Sequence, residues 1–256
     1  MRIVFVGAGN VATHLAKKID ESQDVVQVYS YHYENAYALA KTLKNAQPIN
    51  DLAQLVSDAD VYILSVKDDV LADISDKINF TSGLWLHTSG SVSIELLKKR
   101  FPKCGVLYPL QTFSKGVEVD VSEVPLFIEG CNDSTHNEIE QLAKMLSGKV
   151  FVADSCKRKI LHIAAVFGCN FVNHLWCQAD EILKEVGYDF EILLPLIDTT
   201  LNKAKMVSPY EGQTGPARRG DLHIIEAHEQ MLNSNQVELY RLLSRCIMSK
   251  YKVNNE

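Results

Sequence analysis

The chain has 256 residues, 46% of them hydrophobic and 23% charged, with a formal net charge of -6. That length buries an ample core in one large or two ordinary domains, and the composition is that of a soluble globular protein. The acidic balance leaves no basic footprint, which argues against nucleic acid or an anionic membrane as a partner.

Met1 to Val6 reads as a short strand, and Gly7-Ala8-Gly9-Asn10-Val11-Ala12 follows at once, opening into a helix from Val11 to Ile19. Strand, glycine turn and helix in this order form a dinucleotide-binding fingerprint. Gly7 allows the sharp turn, Gly9 lets backbone approach a pyrophosphate, and Ala12 is small enough for helix to pack on strand. The phosphates then sit on free amides at a helix N-terminus, at Asn10 and Val11, where the dipole also favours anions. A glycine turn that merely ends a strand is the structural alternative.

Asp24 to Tyr31 alternates as a second strand, with Ser30-Tyr31-His32 at its C-terminal end. A carboxylate there binds the ribose 2'-hydroxyl of NAD(H), whereas hydroxyl or basic groups accept the 2'-phosphate of NADP(H). The missing carboxylate favours NADP(H) over NAD(H), although the usual arginine is missing too. Glu34 to Ala46 has helical spacing, Asn50 can cap a short helix through Ser57, and Asp60 to Val66 is an apolar strand suited to a parallel sheet. Its end, Ser65-Val66-Lys67-Asp68-Asp69-Val70, is expected beside the nicotinamide, with Asp68 or Asp69 capping a helix to Ile78. Lys67 either meets phosphates or substrate or is a solvated loop lysine.

Leu84 to His87 is the next strand, followed by His87-Thr88-Ser89-Gly90-Ser91. These donors suit a substrate carboxylate or carbonyl, and equally a capped turn in which Ser93 starts a helix from Ile94 to Lys99. Val106 to Tyr108 and Pro125 to Glu129 are strands, Ser134 to Leu146 a helix, and Val150 to Ala153 the last strand. A composition change near Asp154 divides residues 1–153, a Rossmann-type α/β domain with a mostly parallel sheet covered by helices on both faces, from an all-α domain over 154–256.

In that second part, Ser155 can cap a long helix, Cys156 to Val186, whose apolar residues run nearly all round, as in a buried helix. Gly187 ends it, Phe190 to Met206 is started or kinked at Pro195, and a rigid charged loop runs from Tyr210 to Asp221. Asp221 can cap the helix to Leu232, and Ser234 or Asn235 the last helix, to about Tyr251. The six cysteines, Cys104, Cys131, Cys156, Cys169, Cys177 and Cys246, show no CxxC or zinc spacing. They are expected as reduced, buried thiols of a cytoplasmic protein with no metal. The apolar run after Arg2 is too short for a signal sequence, and no stretch is read as approaching the roughly 20 apolar residues of a spanning helix.

The motifs GAGNVA, ILSVKDDV, LHTSGS, YPLQTF, HIAAVFGCNFVNHL and TGPARRGD together resemble the NADP oxidoreductases that pair a Rossmann-like domain with a helical domain of unknown function. These are similar to pyrroline-5-carboxylate reductase, ketopantoate reductase and the 3-hydroxyisobutyrate and 6-phosphogluconate dehydrogenases. The resemblance implies an NAD(P)-dependent reductase with its active site between the domains, and a homodimer built through the helices. By residue it implies Gly7, Gly9, Asn10 and Val11 at the pyrophosphate, Ser30 at the 2'-phosphate, and Ser65 to Val70 beside the nicotinamide. Ser89 and Gly90 correspond to the serine-glycine substrate loop. The hydroxyacid relatives carry a catalytic lysine with an asparagine one turn later. Here Ile163 stands one turn after Lys159 and Val166 one turn after His162, so that pattern does not carry over.

Reduction of a carbonyl or imine needs a proton donor, and His162 is the candidate, against the alternative of a core histidine. On a straight helix Asn173 falls about 20° from His162 in azimuth and roughly 16 Å along the axis, and Asn170 about 80° round. Either asparagine could orient a carbonyl. An arginine of the TGPARRGD loop, Arg218 or Arg219, could clamp a carboxylate, bridge subunits or balance Asp221. The expected function is NADP(H)-dependent reduction of a small carbonyl or imine substrate carrying a carboxylate; the alternative is a non-catalytic NADP(H)-binding sensor or scaffold.

Overall fold

A computed structural model of the chain describes residues 1–253. It contains strands β1 (Arg2–Val6), β2 (Asp24–Tyr29), β3 (Gln47–Ile49), β4 (Val61–Leu64), β5 (Leu84–His87), β6 (Cys104–Pro109), β7 (Leu126–Gly130) and β8 (Val150–Val152). Among them lie helices α1 (Asn10–Asp20), α2 (Tyr33–Ala40), α3 (Leu71–Lys77), α4 (Glu95–Lys98) and α5 (Asp133–Leu146). Helices α6 (Ser155–Ala165), α7 (Phe171–Glu185), α8 (Leu194–Met206), α9 (Pro216–Arg219), α10 (Leu222–Met231) and α11 (Ser234–Lys250) come after them.

The strands form one sheet in the order β3-β2-β1-β4-β5-β6-β7-β8, parallel throughout except where β6 meets β7. Strands β4, β5 and β6 are buried along their whole length, which is why they read as continuous apolar runs. Alternate residues feed two cores. Ile3 and Phe5 pack with Leu15, Ile19 and Ile139 on one face; Val4 and Val6 pack with Tyr62, Trp85 and Phe101 on the other. Trp85 is stacked between Tyr62 and Phe101, each ring centroid 4.2 Å away. The chain leaves β1 for β2 on one side and reaches β4 on the other, so the sheet's topological switch lies between β1 and β4. Ligands of such sheets bind beyond the strand ends at that point.

Several local expectations are corrected. Helix α2 stops at Ala40 because β3 takes Gln47–Ile49 into the sheet beside β2. Asp51, rather than Asn50, caps a single 3-10 turn, Leu52–Gln54. Neither Asp68 nor Asp69 caps α3 with its side chain; both lie in a 3-10 turn that precedes it. Asp154 caps α6 by accepting from the Lys157 amide at 2.8 Å, which leaves Ser155 free for another task. Asn233 caps α11 in a reciprocal pair with Gln236, an Asn-x-x-Gln box that sequence reading placed one or two residues late.

The chain divides into two compact units, Met1–Asn170 and one beginning at Phe171, so α6 clusters with the sheet although the change to all-helical structure comes at Asp154. Between α6 and α7 the helix relaxes into a π turn, Val166–Asn170. The run Ser155–Glu185, 31 residues, holds an 18-residue window of mean hydropathy 1.4 and is long and apolar enough by length and composition to cross a membrane, contrary to expectation. Isoleucine, valine, leucine and phenylalanine, with alanine and cysteine, raise its hydropathy, while His162, Asn170, Asn173 and His174 interrupt it. Nor, apart from Arg158, is this run buried. Within the single chain Ile160, Ile163, Trp176 and Ile182 are exposed. The cysteines are likewise mostly surface groups: Cys104 is buried and Cys131 half-buried, but Cys156, Cys169, Cys177 and Cys246 are exposed.

Candidate active site

Gly7 takes a φ of +121°, and a Cβ there would stand 2.1 Å from the Ser65 carbonyl oxygen, so the turn out of β1 admits only glycine. Gly9 differs: nothing lies within 4 Å of the position a Cβ would take. It forms the N-cap of α1 with no side-chain cap and no acidic residue in the first turn, which keeps Asn10 and Val11 at an uncapped helix start. Open space over Gly9 and uncompensated amides at an 11-residue helix fit a pyrophosphate.

Ser30 lies half-buried at the end of β2 with its amide donating to Ile49 O at 3.0 Å, and Tyr31 and His32 follow it, exposed and ring-to-ring. Ser30, Tyr31 and His32 themselves carry no carboxylate, and Asp51, beyond the end of neighbouring β3, is near enough to help raise the Tyr29 pKa after burial. Ser65 is buried beyond β4, Val66 is half-buried, and Lys67 and Val70 are exposed with no ion pair at Lys67 among the described residues. The Thr88 hydroxyl donates to Ser65 Oγ at 3.3 Å, and the Thr88 amide donates to Leu64 O, which ties the loop after β5 to the loop after β4.

That loop after β5 is closely hydrogen-bonded. Ser89 Oγ accepts from the amides of Ser91 and Val92, both at 3.0 Å, so only its hydroxyl proton remains to offer a ligand. Fully buried His87 accepts from the Ser89 amide at Nδ1, which puts the ring proton on Nε2. Burial, followed by the positive charge of Arg158, drives the His87 pKa down to about 3 and keeps the ring neutral. Arg158 itself is wholly buried on α6. Its guanidinium donates to Ser89 O at 3.1 Å, to Val92 O at 2.6 Å and to Glu129 Oε2 at 2.5 Å, while Ser155 Oγ donates to the same carboxylate at 2.9 Å. One arginine thus fastens both ends of the Ser89–Val92 turn to β7.

Gly90 sits where two side chains meet. A Cβ on it would lie 2.8 Å from Tyr108 Cζ and 3.0 Å from the His162 ring. Tyr108, near the end of β6, places its hydroxyl 3.1 Å from His162 Nδ1. Burial raises the Tyr108 pKa; Arg158 opposes that rise and Asp68 adds to it, so the phenol stays protonated. His162 is half-buried on α6.

The sequence singles out His162, Ser89 and Gly90, which the structure brings together with Tyr108, Arg158, Glu129 and His87, residues it does not single out. The usable signals were a tyrosine at a strand's C-terminal end and an arginine one turn before the histidine in an apolar helix. The helix carrying His162 does not run straight to Asn170 and Asn173: the π turn Val166–Asn170, with its wider i→i+5 bonding, departs from the 3.6-residue period on which those azimuths are reckoned. Asn170 is exposed at the end of the first unit, and Asn173 is exposed in the second. In that second unit the Arg218 guanidinium lies 4.3 Å over the Tyr251 ring, and Tyr251 stacks on Tyr210. Arg219 pairs with Asp221 at 2.7 Å, so the Asp221 carboxylate binds arginine rather than capping α10. The TGPARRGD loop is therefore held by its own arginines.

Residues 2–85 match the family "NADP oxidoreductase, coenzyme F420-dependent", and residues 124–247 match the domain of unknown function DUF2520. A structure from Bacteroides fragilis described as an NADP oxidoreductase is 42% identical, with 97% of this chain and 98% of that one covered and a TM-score of 0.91. An imine reductase from Myxococcus stipitatus in complex with NADP+ shares the fold at 13% identity, with 99% and 95% covered and a TM-score of 0.71. A pyrroline carboxylate reductase of Plasmodium falciparum with NADP bound does so at 13%, with 98% of each chain covered and a TM-score of 0.62. No curated protein matches the sequence.

Proposed function

The chain belongs to the NADP oxidoreductases that pair a Rossmann-type domain with this helical one, and from that premise we propose that it reduces a small carbonyl or imine compound bearing a carboxylate. NADPH supplies the hydride; the work left to the protein is to hold, orient and protonate. The observation that carries the reading is the Tyr108–His162 pair resting on Gly90. It lies in the same unit as the glycine turn and is linked to it by consecutive strand-end contacts, Gly7 on Ser65, Ser65 to Thr88, and Thr88 through Ser89 to Gly90.

As imidazolium, His162 donates from Nδ1 to the Tyr108 oxygen and keeps Nε2–H as the proton to give. After transfer the ring retains Nδ1–H, so Tyr108 fixes both its orientation and its tautomer. The Ser89 hydroxyl, its lone pairs already engaged, donates to a substrate oxygen. A carboxylate group has candidate partners in Thr88 and Ser91, with Lys67 close in sequence to the Ser65 contact. The reacting assembly is thus made of β4, β5, β6 and α6.

We also take the active form to be a homodimer in the cytoplasm. Among the described residues from Phe171 onward, Ala217 and Ile225 are the buried hydrophobic side chains. Leu196 and Leu201 are 63% and 54% exposed, and Trp176 and Ile182 also face outward. So thin a core cannot offset the entropy of ordering that many residues, and a second copy supplies the matching apolar surface by symmetry. Analytical ultracentrifugation reads the stoichiometry directly; a monomer at micromolar concentration overturns it.

For the activity, NADPH and NADH are titrated by cofactor fluorescence, and oxo acids and cyclic imines are screened for loss of reduced-cofactor absorbance. Turnover of either class with NADPH supports the reading. Tight NADPH binding without turnover across both classes replaces it with a sensor or scaffold.

A further inference from the structure

Outside the site, two cysteines that the hydride chemistry does not use face one another at the free end of β6 and β7. The antiparallel register pairs Gly105 with Gly130 and Val106 with Glu129, so the next residues outward are Cys104 and Cys131. They are joined: the Cys131 amide donates to Cys104 O at 3.0 Å, and the Cys104 amide donates to Cys131 Sγ at 3.4 Å. Directly opposed residues of an antiparallel pair have Cα atoms about 4.5–5.5 Å apart, inside the roughly 4.4–6.8 Å range that a disulfide spans.

The two thiols are not equivalent. Cys104 is buried, and burial, with Cys131 adding to it, pushes its pKa up to about 12. Cys131 is half-buried. Burial alone would raise its pKa, but the Cys104 amide, the Thr135 hydroxyl and the Cys104 thiol bond to the sulfur and hold it below the ordinary thiol value. The Asn132 side-chain amide adds a donor at 3.4 Å. When protonated, Cys131 has the Pro102 carbonyl oxygen at 3.5 Å to receive its proton.

We propose that Cys104 and Cys131 are a redox-active dithiol, with Cys131 the thiol that meets a hydroperoxide and Cys104 the thiol that resolves it. In the first step the Cys131 thiolate attacks one peroxide oxygen. An S–O bond forms, the O–O bond breaks, and the departing hydroxide or alkoxide takes a proton; sulfur is oxidised to the sulfenic acid and the peroxide is reduced. In the second, Cys104 sulfur attacks Cys131 sulfur. The S–S bond forms, the S–O bond breaks, and the Cys104 proton leaves with the hydroxide as water. The buried, high-pKa resolving thiol makes the second step the slow one, so sulfenic acid accumulates before the disulfide.

The test treats the full-length protein with hydrogen peroxide, blocks remaining thiols and maps peptides without reduction. A linked Cys104–Cys131 pair, lighter by about 2 Da and released by dithiothreitol, is expected. Dimedone is expected to tag Cys131 transiently in the native chain, persistently in Cys104→Ser, and faster than it tags exposed Cys156 or Cys246. Should Cys104→Ser not fold, Cys131→Ser serves: it should abolish both the linked peptide and the fast tagging while the other four cysteines label as before. Absence of the linked peptide, or Cys131 tagging no faster than Cys246, overturns the proposal.

Discussion

The Tyr108 hydroxyl lies 3.1 Å from His162 Nδ1, joining the sixth strand of the sheet to the first helix beyond it. If His162 is the proton donor and Tyr108 its positioning partner, His162→Ala should lower kcat by about 10²–10⁴ with NADPH affinity nearly unchanged. Tyr108→Phe should cost roughly tenfold, the worth of one hydrogen bond to a charged group. Combining them should cost no more than His162→Ala alone, since the two act as a unit. Steady-state kinetics and cofactor fluorescence check this; additive losses would separate the residues.

Gly90→Ala puts a methyl carbon against Tyr108 Cζ and the His162 ring, at 2.8 and 3.0 Å before relaxation. Overpacking of this kind costs about 1–3 kcal/mol in stability. The expected signature is a large loss of kcat, a lower Tm and unaltered NADPH binding, because Gly7 and Gly9 are untouched. Calorimetry beside cofactor titration reads all three.

Arg158→Met should destabilise the protein by about 3–5 kcal/mol, the usual cost of stranding one member of a buried ion pair. Here the Glu129 carboxylate loses its guanidinium and the carbonyls of Ser89 and Val92 lose their donors. Arg158→Lys keeps the charge but cannot reach three acceptors at once, so it should recover part of the stability and less of the activity. Urea unfolding with parallel kinetics distinguishes the two variants.

Legibility in the sequence tracks physical range. The glycine turn, the strand ends at Ser30, Ser65 and His87, and β5 at its observed bounds rest on local chemistry and short period. Tyr108 and His162, fifty-four positions apart, meet only because β6 and α6 pack in three dimensions. The π turn at Val166–Asn170 has no propensity signature, yet it undoes any azimuth argument linking His162 to Asn173. The apolar circumference of α7 was legible, but periodicity cannot say whether the chain itself or another copy covers it.

His87 gives a pH dependence with a definite sign. Its pKa falls from 6.5 to about 3 on folding, because burial and Arg158 disfavour the charged ring. The unfolded chain binds the extra proton between those values, so this contribution is complete above pH 6.5 and is lost as pH falls toward 3. Its slope is at most about 1.4 kcal/mol per pH unit. His87→Asn should flatten the difference between denaturation midpoints at about pH 7.5 and about pH 5; an unchanged slope would mean His87 is not held neutral.

Cofactor choice turns on the end of β2, where Ser30, Tyr31 and His32 stand without a carboxylate. Ser30→Asp introduces the group that binds a ribose 2'-hydroxyl and repels a 2'-phosphate. Two charges placed about 4 Å apart near a protein surface interact by up to about 4 kcal/mol, reduced by salt. The variant should therefore weaken NADPH binding by about 10- to 100-fold and leave NADH equal or tighter, with the NADPH loss shrinking at high ionic strength. His32→Ala should weaken NADPH binding and leave NADH binding unchanged, since only the 2'-phosphate would meet a basic side chain there. Fluorescence titrations of both cofactors at two salt concentrations measure each effect, and equal losses for NADPH and NADH would remove Ser30 and His32 from 2'-phosphate recognition.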